Sequence, residues 1–256
     1  MRKFFRGIWV RSLQISKFVS FTWNLMIEGI KVIGFDADDT LWVNEPYYRE
    51  AEMEFVDLLT AYGVRGNIAE ALFKTEMANL ELYGYGIKAF MLSLVECAIE
   101  LTDGAIKSST VSRIIGIGKA MLERPIELLE DVKLVLQQLA PHYRLIVATK
   151  GDLLDQERKM RKSSISAYFH HIEVMSDKKD QHYIQLLRHL DISPAEFLMI
   201  GNSLKSDIIP PLELGAWGIY VPFHTTWAHE EVEGEPELGR YFKVEHLRDV
   251  LKIISH

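Results

Sequence analysis

The stretch VIGFDADDTLW, residues 32–42, decides how the rest of the chain is read. It opens on Val32, Ile33, Gly34 and Phe35, then places Asp36, Asp38 and Asp39 within four positions, followed by Thr40. One aspartate in a turn is ordinary, because its side chain bonds nearby backbone. Three are not: like charges this close repel unless a cation or a proton is shared. In an extended chain, residues two apart point to the same side. Asp36 and Asp38 are therefore expected to aim together, with Ala37 opposite. A carboxylate pair at the end of a hydrophobic strand invites a metal or acid–base chemistry.

Working outward, Lys31 to Phe35 reads as a short buried strand. Residues 45–62, 67–83, 87–102 and 109–123 then show helical apolar spacing, punctuated by Gly63, Gly66, Gly84, Gly86 and Gly104. Phe55, Leu58, Leu59 and Tyr62 carry the i, i+3, i+4, i+7 pattern. Beyond Pro125 helix and strand alternate. Helices are expected over 127–140, 152–162, 180–190, 204–215 and 245–254, with Pro210 and Pro211 awkward for the fourth. Strands are expected at YRLIVAT, IEVM, EFLMIGN, WGIYVP and YFKV. Such alternation predicts an α/β fold with a parallel sheet covered on both faces. An all-helical insert of about eighty residues opens it after the first strand.

Ligands of such sheets bind at the carboxyl ends of the strands. The strand LIVAT ends in Thr149-Lys150-Gly151, a hydroxyl followed by turn N–H groups that could cradle phosphate oxygens. DKKD brings Lys178 and Lys179 to the start of a helix, and MIGNSLKSD ends a strand with Gly201, then offers Asn202, Ser203 and Asp207. Each feature alone has a bland explanation, such as a surface lysine or a helix cap. Together they bring oxygen ligands, hydroxyls and a lysine to neighbouring strand ends. A hard cation such as Mg²⁺ takes oxygen ligands, and a phosphate takes the cation, a lysine and backbone donors. The set fits phosphoryl transfer.

These residues resemble the motifs of the haloacid dehalogenase superfamily, in its phosphatase branch. DADDT matches the DxDxT signature; VATKG, Lys179 and GNSLKSD are similar to the second, third and fourth motifs, in the same order. The likeness runs from about Ile30 to Lys252. It implies a Rossmann-like core at 30–43 and 126–256, a helical cap of the first type at 44–125, and a basic appendage at 1–29. It also implies that Asp36 attacks phosphorus to form an aspartyl phosphate. Asp38 would protonate the leaving alcohol and then activate water, holding a proton when Asp36 does not. Thr149, Lys150, Gly151 and Lys179 would bind the phosphoryl group. Lys179 is preferred to Lys178 because DQHYIQLL after it resembles the third-motif helix. Mg²⁺ would be held by Asp36, the Asp38 carbonyl, Asn202 and Asp207. The family usually has Gly-Asp where this chain has Gly201-Asn202, so Asn202 and Asp207 are assigned jointly. Asp39 needs only a salt bridge or a helix-end contact.

Composition narrows the function without choosing it. A chain of 256 residues, 48% hydrophobic and 25% charged with mean hydropathy +0.01, is a globular protein in composition. Its net charge of −7 argues against nucleic acid as a partner. A single cysteine, Cys97, allows no internal disulfide and fits the reducing cytoplasm. The first 27 residues hold Arg2, Lys3, Arg6, Arg11, Lys17 and no acid. Their longest uncharged run, Phe18 to Ile27, is ten residues, against the ~20 needed to span a bilayer, so stable membrane insertion is not expected. Three readings stand for this segment: an extension upstream of a start at Met26, which is favoured, a membrane-surface helix, or a packed appendage. The expected partner is a small phosphorylated metabolite, met by a monomer or homodimer. The competing functions are a dehalogenase, a phosphomutase, and a non-catalytic binding protein that keeps the fold. His170-His171 and the acidic run at 230–239 are read as packing or surface. HTTWAHE, 224–230, is left open between substrate contact and loop cap.

Overall fold

The computed structural model describes residues 27–232, 234–237 and 239–254; the readings placed on residues 1–26 lie outside them. Six strands form one sheet: β1 (Val32–Phe35), β2 (Arg144–Lys150), β3 (His171–Met175), β4 (Phe197–Gly201), β5 (Trp217–Tyr220) and β6 (Tyr241–Lys243). Their order is β3-β2-β1-β4-β5-β6, and every pairing is parallel. β1 is therefore central, and strand order reverses beside it, the place where open parallel sheets hold ligands. Phe35 lies in register with Val147 on one side and Ile200 on the other, which brings the ends of β1, β2 and β4 level.

Alternating side chains send β1 into two apolar layers. Ile33 and Phe35 face a layer filled by Val132, Val135, Leu136 and Leu139 of helix α5 (Val132–Leu139). Val32 faces the other, filled by Tyr183, Leu186, Leu187 and Leu190 of α7 (Asp180–Leu190). Gly34 is required on that second face. A Cβ there would come 2.7 Å from Cζ of the Phe197 ring, too close for a ring fixed in the core.

Between β1 and α5 stand four helices, α1 (Glu45–Tyr62), α2 (Ile68–Tyr83), α3 (Ile87–Leu101) and α4 (Ser108–Glu123). They carry an apolar cluster of their own, with Phe55, Leu59, Leu72, Leu94 and Ile114 fully buried. α6 (Leu153–Lys162) follows β2 and α8 (Ile209–Glu213) follows β4.

Three expected elements differ. Residues 127–131 are not helical: Val43 N–H donates to Glu127 O and Leu129 N–H to Leu41 O, so this segment pairs antiparallel beside Trp42, and α5 begins only after Asp131. The expected helix over 204–215 is a π-helical turn, Leu204–Ile208, followed by α8. Pro210 and Pro211 sit in the first turn of α8, where a missing N–H costs no bond. The closing helix is a 3₁₀ segment, Leu247–Lys252. Ile27 is 1% exposed, packs into the main core, and its N–H donates to Ile253 O at 2.8 Å. That part of the expected appendage thus joins the sheet layers.

Candidate active site

Asp36 follows directly on β1, and its N–H donates to Ile200 O, so the sheet fixes its backbone. Its carboxylate is buried against the Lys178 ammonium, which contacts Asp36 Oδ1 and reaches Asp207 Oδ1 at 2.6 Å. Burial first, then Asp207, push the Asp36 carboxyl up, while Lys178 works the other way. Burial opposes the charge on Lys178, but Asp207 and Asp36 outweigh it and hold the ammonium above the usual lysine range. Lys179, the lysine preferred from the sequence, lies elsewhere. Its side chain is 73% exposed and pairs with Asp177 at 2.8 Å. It is the N-cap of α7, so the inward-facing residue is the one before it.

Asp38 meets a different set of partners. Its Oδ1 accepts from Trp42 Nε1 at 2.7 Å and from Lys159 Nζ at 2.8 Å, and its Oδ2 accepts from Gln156 Nε2 at 2.9 Å. Burial raises this carboxyl, but Lys159 and the three donors win and hold it below the usual carboxylate range. The two signature aspartates are thus driven apart, in the opposite sense to the expectation. The reason is that Asp38 turns towards a buried lysine of its own instead of sharing the surroundings of Asp36. Asp39 has the helix-end role: it accepts from the N–H groups of Asn44 at 2.8 Å and Glu45 at 2.9 Å, capping α1 in place of Asn44.

Thr149, 1% exposed, ends β2 with Lys150, and its hydroxyl accepts from Gln156 Nε2 at 3.2 Å. Lys150 donates to Glu230 Oε1 at 2.6 Å and to Ser206 at 2.9 Å, and its ammonium lies 4.3 Å from the centre of the Tyr85 ring. Gly151, which follows, turns with φ +121°. Asp207 uses both oxygens, one for Lys178 and one for the N–H of Ser203 at 2.9 Å. Gly201 makes this possible, since a Cβ there would lie 2.3 Å from Asp207 Oδ2.

The oxygen set suits a hard divalent cation. The Asn202 amide lies 3.2 Å from both Asp36 Oδ2 and the Asp38 carbonyl, and 3.1 Å from the Thr40 hydroxyl. With its nitrogen inward its two N–H groups are shared among the three; with its oxygen inward it joins a ring of acceptors that a cation reconciles. Among the described residues no three His, Cys, Asp or Glu side chains form a metal cluster. The donor set here draws on an amide and a backbone carbonyl instead, as oxygen-loving cations accept. Asn202 faces this set directly, while Asp207 faces Lys178.

Asp36, Asp38, Thr149, Lys150, Lys178, Asn202, Asp207 and Glu230 line one cavity of about 190 Å³, which extends up to Tyr48, Arg49, Glu76, Asn79 and Phe90 of the helical insert. Three residues at the site were not singled out from sequence. Gln156 and Lys159 share one face of α6, a spacing of three, but nothing local says which way that face points. Glu230 sits at the junction of two stretches read as loop. It accepts from Lys150, from Ser203 at 2.5 Å and from Ser206 at 2.5 Å. Trp42 is fully buried beside Asp38. Phe90 packs in the insert's core, Tyr83 is 40% exposed, and His170 and His171 contact one another at the surface.

The protein-family model for haloacid dehalogenase-like hydrolases matches residues 30–215. A haloacid dehalogenase-like family hydrolase from Xanthomonas campestris superposes with a TM-score of 0.76 at 39% identity, over 86% of this chain and 88% of that one. The N-acylneuraminate-9-phosphatase of Homo sapiens is 24% identical over 197 residues, which are 73% of this chain and 79% of that protein. A 2-haloacid dehalogenase from Pseudomonas syringae pv. Tomato DC3000 shares the fold at 18% identity, with a TM-score of 0.62 over 88% of this chain and 97% of that one.

Proposed function

Because the chain belongs to the haloacid dehalogenase-like hydrolases, we propose that it hydrolyses a small-metabolite phosphate monoester through a phosphorylated Asp36. The observation that carries this is the buried Asp36, at the end of the central strand, between the Lys178 ammonium on one side and the Asp38 backbone carbonyl and Asn202 amide on the other. The similarity to N-acylneuraminate-9-phosphatases supports a phosphate ester over a halide. Asp36, Asn202 and the Asp38 carbonyl are the groups that would hold Mg²⁺ directly, and Asp207, whose oxygens are engaged by Lys178 and the Ser203 N–H, would reach it through water. When bound, the cation would offset the charge of the nucleophile and of the phosphoryl oxygens.

An Asp36 oxygen attacks phosphorus; its new P–O bond forms as the ester P–O bond breaks. Lys178, Thr149 and the backbone N–H groups after it hold the three equatorial oxygens, where charge accumulates. Asp38 gives its proton to the leaving alkoxide, then takes one from the water that attacks the phospho-Asp36. The hydrogen bonds from Lys159, Trp42 and Gln156 favour its ionised form, which the second step needs. Breaking the Lys159 contact would admit the proton needed in the first. The helical insert acts as the cap: its cavity wall excludes water and selects the alcohol. The lone cysteine is a buried free thiol, in keeping with a cytoplasmic setting. No helix among the described residues is long and apolar enough to cross a membrane.

The test is phosphate release from a broad ester panel, with Mg²⁺ and with chelator, for wild type and Asp36→Asn. Metal-dependent release abolished in the variant is the expected result. Folded, metal-supplied protein that releases no phosphate but frees halide from a 2-haloacid would overturn the reading in favour of a dehalogenase.

A further inference from the structure

The half of the cavity away from the strand ends is built by the cap helices, and its chemistry is lopsided. α1 contributes Glu45, Tyr48, Arg49 and Glu52, and α2 contributes Glu76 and Asn79. Arg49 is the single cation among the described residues of this wall, and it is already engaged. Its Nε pairs with Glu45 Oε1 at 3.1 Å and its Nη1 with Glu52 Oε2 at 3.0 Å. Asn79 donates its amide N–H groups to Ser93 at 3.2 Å and Glu96 at 2.7 Å, which leaves its carbonyl as an acceptor. Three carboxyl groups share one guanidinium, which leaves no cation on this wall to spare for a further anion. The same cavity runs without interruption to Asp36 and Lys178, so whatever is esterified to a phosphate held there lies against this wall.

Glu76 shows the imbalance most plainly. Burial, with Glu52 and Glu45 beside it, pushes its carboxyl up to about 8, and the distant help of Arg49 does not offset them. A carboxyl so placed keeps its proton at neutral pH in the empty pocket; a cation brought against it draws that proton off and gains a carboxylate partner, while a further anion opposes that ionisation. A hydroxyl can donate to Asn79 or Ser93. A carboxylate on the substrate finds no uncommitted cation here, and like charges forced together in a desolvated site are strongly disfavoured.

Resting on the phosphatase reading above, we propose that the substrate's alcohol half is a hydroxyl-rich group carrying an ammonium, of the amino-sugar phosphate class. Glu76 and Glu52 receive the ammonium, and phosphate esters of carboxylic acids are turned away. Glu76 and Glu52 are then specificity residues, acting on the end of the molecule remote from phosphorus.

The experiment compares kcat/KM for three hexose derivatives of matched size: glucosamine 6-phosphate, glucose 6-phosphate and 6-phosphogluconate. The expected order is amine, then neutral sugar, then acid, with at least about 100-fold between the first and last. Glu76→Gln should shrink the amine-to-neutral ratio by about tenfold. Glu52→Gln, which frees an N–H of Arg49, should raise turnover of the acid. The wild-type order carries the proposal even if a variant folds poorly. Turnover of the acid equal to or above that of the amine overturns the proposal and leaves the phosphatase reading standing. A ratio unmoved by Glu76→Gln also overturns it. Absence of phosphate release from every ester sinks the phosphatase reading itself, and the proposal with it.

Discussion

Lys178 and Lys179 are neighbours in sequence and opposites in environment. One is 2% exposed between Asp36 and Asp207; the other extends into solvent beside Asp177. Removing a buried partner leaves uncompensated charge behind, at about 3–5 kcal/mol, whereas an exposed pair is worth about 0–1 kcal/mol. Lys178→Met should therefore lower the unfolding free energy measured in urea by that larger amount and cut turnover by at least about 100-fold, the cost of one lost electrostatic contact in a catalytic site. Lys179→Met should leave both within normal scatter. Equal losses from the two variants would show that the geometry misplaces the cation. The sequence located this lysine to within one position and no better. Direction at the β3–α7 junction is set by where the turn releases the chain into the helix, and the pattern of DQHYIQLL begins one residue too late to report it.

At the scale of elements, strands and helices were largely legible because their apolar periods are local. The partners that equip the site were not. Gln156 and Lys159 reach Asp38 across 118 and 121 residues, and Glu230 reaches Lys150 across 80. A run of acids at 230–239 reads as surface, and its first member is instead the clamp that joins the ends of β2 and β4. Burial works against the Glu230 carboxylate, but Lys150, Ser203 and Ser206 overcome it and take its pKa from 4.5 down to about 2. A depressed carboxyl adds stability in full above its ordinary value and loses it as pH falls through the folded one. The contribution, on the order of 3 kcal/mol, should be complete above about pH 5 and fade towards pH 2. Glu230→Gln should thus be less stable than wild type at neutral pH, with the gap closing as acid is added. Thermal unfolding midpoints between pH 2 and pH 7 measure this; a gap constant with pH would assign the loss to packing rather than to the charge.

The described residues build one apolar interior around the sheet and another inside the four-helix insert, and the site lies between them. Beyond the two chain crossings, Tyr85, Gly86 and Lys88 at the insert's tip approach the core. Lys88 pairs with Asp152 at 2.8 Å, but both side chains are 30% exposed or more, so the pair is worth at most about 1 kcal/mol. Tyr85 does more with one ring. Its face lies over Lys150, its ring stands perpendicular to that of Trp227 with centroids 6.2 Å apart, and its hydroxyl donates to Asp177 at 3.3 Å. Because the contact joins two separately cored parts, its loss should loosen their approach without unfolding either. Tyr85→Ala should raise KM by about tenfold, equivalent to about 1.4 kcal/mol of closure energy, while changing the unfolding free energy by no more than about 0.5 kcal/mol. Tyr85→Phe keeps the ring over Lys150 and gives up only the long hydroxyl contact, so it should retain most of the wild-type KM. Amide exchange over residues 83–88 reads the same event without substrate, and faster exchange is expected in the alanine variant alone. If KM and exchange are both unchanged, the approach of the two parts is fixed by the chain crossings at 43–44 and 124–126, and the tip contact follows closure rather than holding it.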